Sequence, residues 1–96
     1  MSGYVLADVS WADEDARKAY MNLLGPGLEA YGGVVTTRSQ DVHVMEGDWQ
    51  PDGVTVLISF PAVKDALAWY HSEEYQKALK IRQSASRGRV FLVEGA

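Results

Sequence analysis

VTVLISFPAVKDALAWYHSEEYQKALKIR, residues Val54–Arg82, reads as a strand, a turn and two helices in one run. Val54, Val56, Leu57, Ile58 and Phe60 form an almost continuous apolar strand that stops at Pro61. A strand apolar on both faces belongs in the middle of a sheet. Behind it, Val63, Ala66, Leu67 and Tyr70 recur at i, i+3, i+4 and i+7, the spacing of a helix with a core-facing stripe. Ser72 can cap a second helix, with Glu73 and Glu74 in the first turn, where the helix dipole favours negative charge. Tyr75, Leu79 and Arg82 then share one face of that helix. The junction Trp69-Tyr70-His71-Ser72-Glu73-Glu74-Tyr75 holds the densest group of aromatic and ionisable side chains in the sequence.

Upstream, Tyr4 to Ser10 alternates Val5, Ala7 and Val9 against Tyr4, Leu6, Asp8 and Ser10, a strand largely apolar on both faces. Asp8 breaks that pattern. A carboxylate there needs a donor, or a raised pKa, if the strand is central. Asp13 is placed to cap a helix whose face is Ala16, Tyr20 and Leu23. Gly25-Pro26-Gly27 is expected to interrupt it, because proline lacks an amide hydrogen and crowds the preceding turn, and a short helical piece then restarts. Gly32-Gly33 supplies a left-handed end. Val34 to Glu46 reads as one long strand kinked near Ser39-Gln40-Asp41, polar enough for a sheet edge. Gly47 to Gly53 is turn chemistry carrying Trp49. Downstream of the helix pair, Ser84 to Gly88 is a break and Arg89 to Glu94 is the closing strand.

The order is β-α-β-β-α-β, an α+β ferredoxin-like split βαβ domain occupying residues 1–96. Right-handed crossovers are expected, with an antiparallel sheet apart from a parallel central pair, strands one and three. Both helices would cover one face of that sheet. The other face is apolar on strands one, three and four, and a patch that large is costly to expose. A second copy packed sheet to sheet would bury it, so a homodimer is expected.

The totals agree with a globular protein and exclude several roles. The chain has 96 residues, 47% hydrophobic and 23% charged, with a net charge of −4. That charge argues against a nucleic-acid partner, which calls for a basic stripe. No apolar run approaches the ~20 residues of a membrane span. Met1-Ser2-Gly3 leads directly into a strand, leaving no room for a signal peptide, and the absence of cysteine suits a reducing compartment. A cytoplasmic location is the expectation. His43 and His71 stand without metal-ligand spacing around them, so neither a metal nor another cofactor is expected. No serine or cysteine nucleophile motif and no phosphate loop is present.

Tyr4-Val5-Leu6-Ala7-Asp8-Val9, Tyr31-Gly32-Gly33, Glu46-Gly47-Asp48-Trp49, Phe60-Pro61, the run Ala68 to Tyr75 and Arg82 fall in an order that resembles the uncharacterised family called domain of unknown function 1330. The resemblance spans nearly the whole chain, and Trp-Tyr-x-Ser-x-x-Tyr followed by Arg82 is its most specific part. It implies a dimeric α+β barrel and no established reaction. Ala62 departs from it, standing where such sequences commonly place a capping serine.

Barrels of that superfamily include cofactor-free monooxygenases, lactone isomerases and haem-degrading enzymes that use a cleft between helices and sheet. The resemblance implies the same cleft here, lined by Asp8, Tyr31, Arg38, Glu46, Trp69, Tyr70, Tyr75 and Arg82. Asp8 and Glu46 are the candidate acid and base, unless each pairs with Arg38 or Arg82 as a structural ion pair. Tyr31, Arg38, Trp69, Tyr70, Tyr75 and Arg82 are the candidate ligand-binding residues. Trp69 sits one residue off the apolar stripe, which favours it over Tyr70 as a ring-stacking group; aromatics at helical spacing otherwise fill cores. Three functions remain open: a dimer binding a planar or acidic metabolite, a monooxygenase- or isomerase-type enzyme, and a dimer with no ligand.

Overall fold

A computed structural model describes residues 2–95 of the chain. Its elements are β1 (Gly3–Trp11), α1 (Glu14–Ala30), β2 (Val34–Ser39), β3 (Val54–Phe60), α2 (Val63–His71), α3 (Glu73–Ala85) and β4 (Ser86–Glu94). They form a four-stranded sheet in the order β2-β3-β1-β4, the α+β ferredoxin-like arrangement. No helix among the described residues is long and apolar enough to cross a membrane.

The central pair is antiparallel, not parallel. Val5 faces Ile58 and Ala7 faces Val56 in a ladder of opposite direction. Chain geometry requires this. The α1 crossover leaves β2 running the same way as β1, and the chain then turns back, so β3, inserted between them, opposes both. The β1–β4 and β2–β3 ladders are antiparallel as well.

β2 is shorter than its sequence pattern. It pairs from Val34 to Ser39, with a bulge between Val35 and Thr37, and its partner β3 begins only at Val54. Residues 41–45 therefore have no strand to pair with and continue without a ladder. The loop that follows folds back on the sheet. Asp52 pairs with Arg87 of β4, and the Arg89 guanidinium lies 4.8 Å from the centre of the Trp49 ring.

Helix α1 starts where expected: the Asp15 and Ala16 amides donate to Asp13 Oδ1 at 2.9 and 3.4 Å. It does not break at Pro26. An interior proline deletes one hydrogen bond, and Leu24, Gly27 and Leu28, all buried on either side of it, keep the run packed on the core. The buried face runs through Leu24 and Leu28, and Leu23 points outward. Gly32, at φ 75°, turns the chain out of the helix. A Cβ on Gly33 would come within 2.7 Å of the Phe60 ring, so the Tyr31-Gly32-Gly33 and Phe60-Pro61 motifs meet in space and require each other.

Helix α2 begins at Ala62 without a side-chain cap. Ser72 joins α2 to α3: its hydroxyl donates to the Trp69 carbonyl at 2.7 Å and accepts from the Tyr75 amide at 3.2 Å. The α2 stripe is rotated from its expected position. Ala66 and Trp69 are buried, whereas Leu67 is 45% exposed. Tyr75, Ala78, Leu79 and Arg82 form the buried face of α3.

Register sorts the strand residues between two environments. Val5, Ala7, Val9, Val56, Ile58, Val90 and Leu92 share the helix-covered face, and Val5 and Ile58 are in the core. Tyr4, Leu6, Asp8, Leu57, Ser59, Arg89, Phe91 and Val93 share the opposite face, which no element among the described residues covers as a layer. Phe91 is 53% exposed there.

Candidate functional site

A pocket opens between the helix-covered sheet face and helices α1 and α3. Its floor is Val5, Ala7, Val9, Val54, Val56, Ile58 and Val90, its walls include Met21 and Leu24, and Trp11, Tyr20, Trp69 and Tyr75 add aromatic surface. The space open to the centre of a water-sized sphere is about 50 Å³. The apolar floor follows from β-strand alternation, because every second residue of β1 and β3 is a small or branched aliphatic.

Three arginines line this apolar space, and no Asp, Glu or His among the described residues does. Arg17 is satisfied by Glu14 at 2.9 Å. Arg38 is exposed, the penultimate residue of β2, and makes no ion pair among the described residues. Arg82 is 7% exposed, and its Nε is buried with no hydrogen-bond partner. A lone buried cation is costly, so this side chain sets the electrostatics of the pocket.

Tyr20 and Tyr75 place their hydroxyls 3.1 Å apart in the same pocket. Burial holds the Tyr20 phenol well above its ordinary titration range; the adjacent Tyr75 pushes the same way, while Arg82 and Arg38 oppose it. Tyr20 is thus a neutral hydrogen-bonding group at any working pH. The rings form a connected cluster: Trp11 to Tyr20 at 5.3 Å, Tyr20 to Tyr75 at 6.2 Å and Tyr75 to Trp69 at 4.2 Å.

Of the eight residues expected in the cleft, the pocket gathers Arg38, Trp69, Tyr75 and Arg82. Asp8 lies on the other face of the sheet, one residue out of phase with Ala7 and Val9. Its closest arginine is Arg89 at 4.0 Å, not Arg38 or Arg82, and its Oδ1 is buried without a donor. Glu46 is exposed in the loop after β2 and makes no ion pair among the described residues. Tyr31 is the C-cap residue of α1, outside the pocket. Tyr70 packs beside Trp69 and Tyr75, at 6.2 and 5.4 Å between ring centres, and faces other clefts. Trp69 is a wall and core residue, 2% exposed, and is more enclosed than Tyr70. Trp11, Arg17 and Tyr20 were not anticipated. Alternation from Val5 through Val9 puts Trp11 on the pocket face, and Tyr20 lies on the apolar side of α1.

Among curated proteins, no sequence matches the chain. Solved structures match it over nearly its whole length. A protein of unknown function from Rhodopseudomonas palustris is 23% identical, with 99% of this chain and 82% of that one covered at a TM-score of 0.76. A dimeric ferredoxin-like protein of unknown function from Thermobifida fusca is 14% identical, with 99% and 92% covered at a TM-score of 0.67. SnoaB, a cofactor-independent oxygenase from Streptomyces nogalater, is 8% identical, with 99% and 91% covered at 0.59. At these identities the likeness is one of fold. Residues 2–96 match the model of one family, and the chain is a member of the domain of unknown function family DUF1330.

Proposed function

We propose that the whole chain acts as one domain, in the cytoplasm, as a homodimer closed through the uncovered sheet face, and that each protomer binds a small organic molecule in the pocket under α1 and α3. The observation that carries the binding role is Arg82: a buried arginine with an unpartnered Nε in a pocket that no Asp or Glu among the described residues lines. Folding alone gives no reason to bury an unmatched cation, whereas a ligand that supplies the match does.

The dimer is supported by the apolar residues on the uncovered face and by size. The Cα atoms span 34 × 32 × 16 Å, so the broad side of this slab is about 1,000 Å², above the ~800 Å² that each partner contributes to a stable interface. The Thermobifida fusca neighbour, described as dimeric, supports the same assembly.

An isomerase-type enzyme, or a monooxygenase that begins by removing a proton, needs a base within reach of its substrate. Asp8 and Glu46 stand outside the pocket, which favours binding over proton transfer. The oxygenase neighbour keeps an oxygen-using reaction as the second possibility, supported at the level of fold.

Sedimentation at micromolar concentration, combined with a thermal-shift screen of aromatic acids, lactones, quinols and haem, tests both halves. The expected result is a particle of twice the chain mass, with at least one compound class raising the melting temperature. A stable monomer refutes the assembly. A flat screen together with a pocket closed by side chains refutes the binding role and leaves a scaffold without a ligand.

A further inference from the structure

We propose that the pocket takes a monoanionic organic acid with an apolar body of about one ring, bound already ionised, its acid group held by Arg82 and the Tyr20–Tyr75 hydroxyl pair; this rests on the pocket being a binding site.

Charge comes first. Arg82 is more than nine-tenths buried, lacks a hydrogen-bond partner at Nε and meets no acidic side chain in the pocket lining. The counter-ion must therefore arrive with the ligand. A guanidinium presents its donors as a planar fork, the shape that matches a carboxylate. One such buried cation suits one negative charge. Arg38, exposed and unpaired among the described residues, adds a positive potential in a protein of net charge −4, which draws an anion toward this pocket.

The tyrosine pair supplies one free donor. Two hydroxyls 3.1 Å apart share one hydrogen bond, so the hydroxyl that accepts in that bond keeps its own proton for a third oxygen. Tyr20 is held neutral by its burial, so it does not become a competing anion beside the ligand. No Asp, Glu or His among the described residues lines the pocket, so it offers no carboxylate or imidazole as a general base. The pocket can hold an acid that has already lost its proton and has no side chain with which to remove one.

Size limits the body of the ligand. A centre volume of about 50 Å³, widened by a water radius on every side, corresponds to a space of roughly 200 Å³. A benzoate-sized acid fits, and a haem or a fused polycycle does not. The aliphatic floor and the Tyr75 and Trp69 rings offer an apolar surface to such a body and few hydrogen bonds.

Calorimetric titration of the full chain with benzoate, cyclohexanecarboxylate, benzyl alcohol, acetate and 1-pyrenecarboxylate tests the assignment. Expected are saturable binding of the two one-ring acids, binding of benzyl alcohol weaker by about tenfold or more, and no measurable binding of acetate or the pyrene acid. Benzoate affinity should stay level between about pH 6 and 9 and fall only near the carboxyl range, about pH 4. Arg82→Gln should abolish the preference for acid over alcohol. The acid-over-alcohol comparison in the unaltered protein needs no variant, so a misfolded Arg82→Gln does not rescue the proposal. If benzyl alcohol binds as tightly as benzoate, the anion assignment is overturned while the pocket stands. If neither the acids nor the alcohol bind, the binding site itself is refuted.

Discussion

Replacing Arg82 with methionine should make the unliganded protein more stable. Methionine reproduces the arginine stem out to about the Nε position, and the site is 7% exposed, so the substitution keeps the packing of the stem and removes a charge with an orphaned Nε. Exchanging buried ionic groups for apolar ones is commonly neutral or stabilising by about 1–4 kcal/mol, and here no partner is left stranded by the exchange. A gain of about 2 kcal/mol is expected. For a domain of this size that is a melting temperature higher by about 8–16 °C, or a urea midpoint higher by about 2 M if the slope is about 1 kcal/mol per M. Equilibrium unfolding in urea at one fixed protein concentration is the assay, because an assembling protein unfolds at a midpoint that depends on concentration. Arg82→Lys serves as the control: it keeps the charge and should gain nothing. A midpoint lower by about 2 M in Arg82→Met would mean that the guanidinium is well satisfied in the empty fold. Arg82 would then be a structural residue, and the case for an anion in the pocket would lose its anchor.

Two further outcomes follow from burial. Tyr20 resists ionisation in the folded state, whereas the unfolded chain ionises it near 10.0, so the folded state holds more protons above that pH. Its stabilisation is complete below about pH 10 and is lost as pH rises beyond it, by about 1.4 kcal/mol per pH unit; Tyr20→Phe should lack that slope when unfolding is compared at pH 9 and 11, and equal slopes would refute the burial. On α2, Trp69→Ala should cost about 3–5 kcal/mol and Leu67→Lys within about 0.5 kcal/mol, both read by urea unfolding, and a reversed order would show that the helix is rotated from the orientation described.

The fold was legible because the strands carry it in their composition. Val54 to Phe60 is apolar on both faces and proved central, and the polar Val34–Ser39 segment proved an edge. The caps at Asp13 and Ser72 were legible for the same local reason: each is a short polar side chain placed one residue before a helical pattern. Where neighbours outvote local chemistry, local signals failed. Pro26 marks a break by its own chemistry, yet the buried residues on both sides hold α1 together through it. The Val42–Val44 alternation asks for a strand, but the β3 partner starts too late in the chain to provide one. The parallel central pair was an error of topology rather than of sequence, since the residues of β1 and β3 are compatible with either direction.

The site was harder to read, and the difficulty lies in phase. Asp8 and Ala7 are adjacent in sequence and on opposite sides of the sheet, so being on β1 says nothing about entering the pocket until the register is known. The same rule would have brought in Trp11, two steps beyond Val9 on the pocket side. On α2 an error of one position separates Leu67, which is exposed, from Ala66 and Trp69, which are buried, because 100° per residue carries a side chain out of the core in a single step. Arg82 escaped this ambiguity. Its face was set by Tyr75 and Leu79, two large residues at helical spacing, so the one cation on that face had to be buried. What the sequence could not contain is the lack of a partner. An ion pair with Asp8 or Glu46 was the economical assumption for a buried arginine, and only the sheet register puts Asp8 on the far side and leaves the guanidinium unmatched. The unmatched charge is a property of the assembled pocket, and it is also the property from which the ligand class follows.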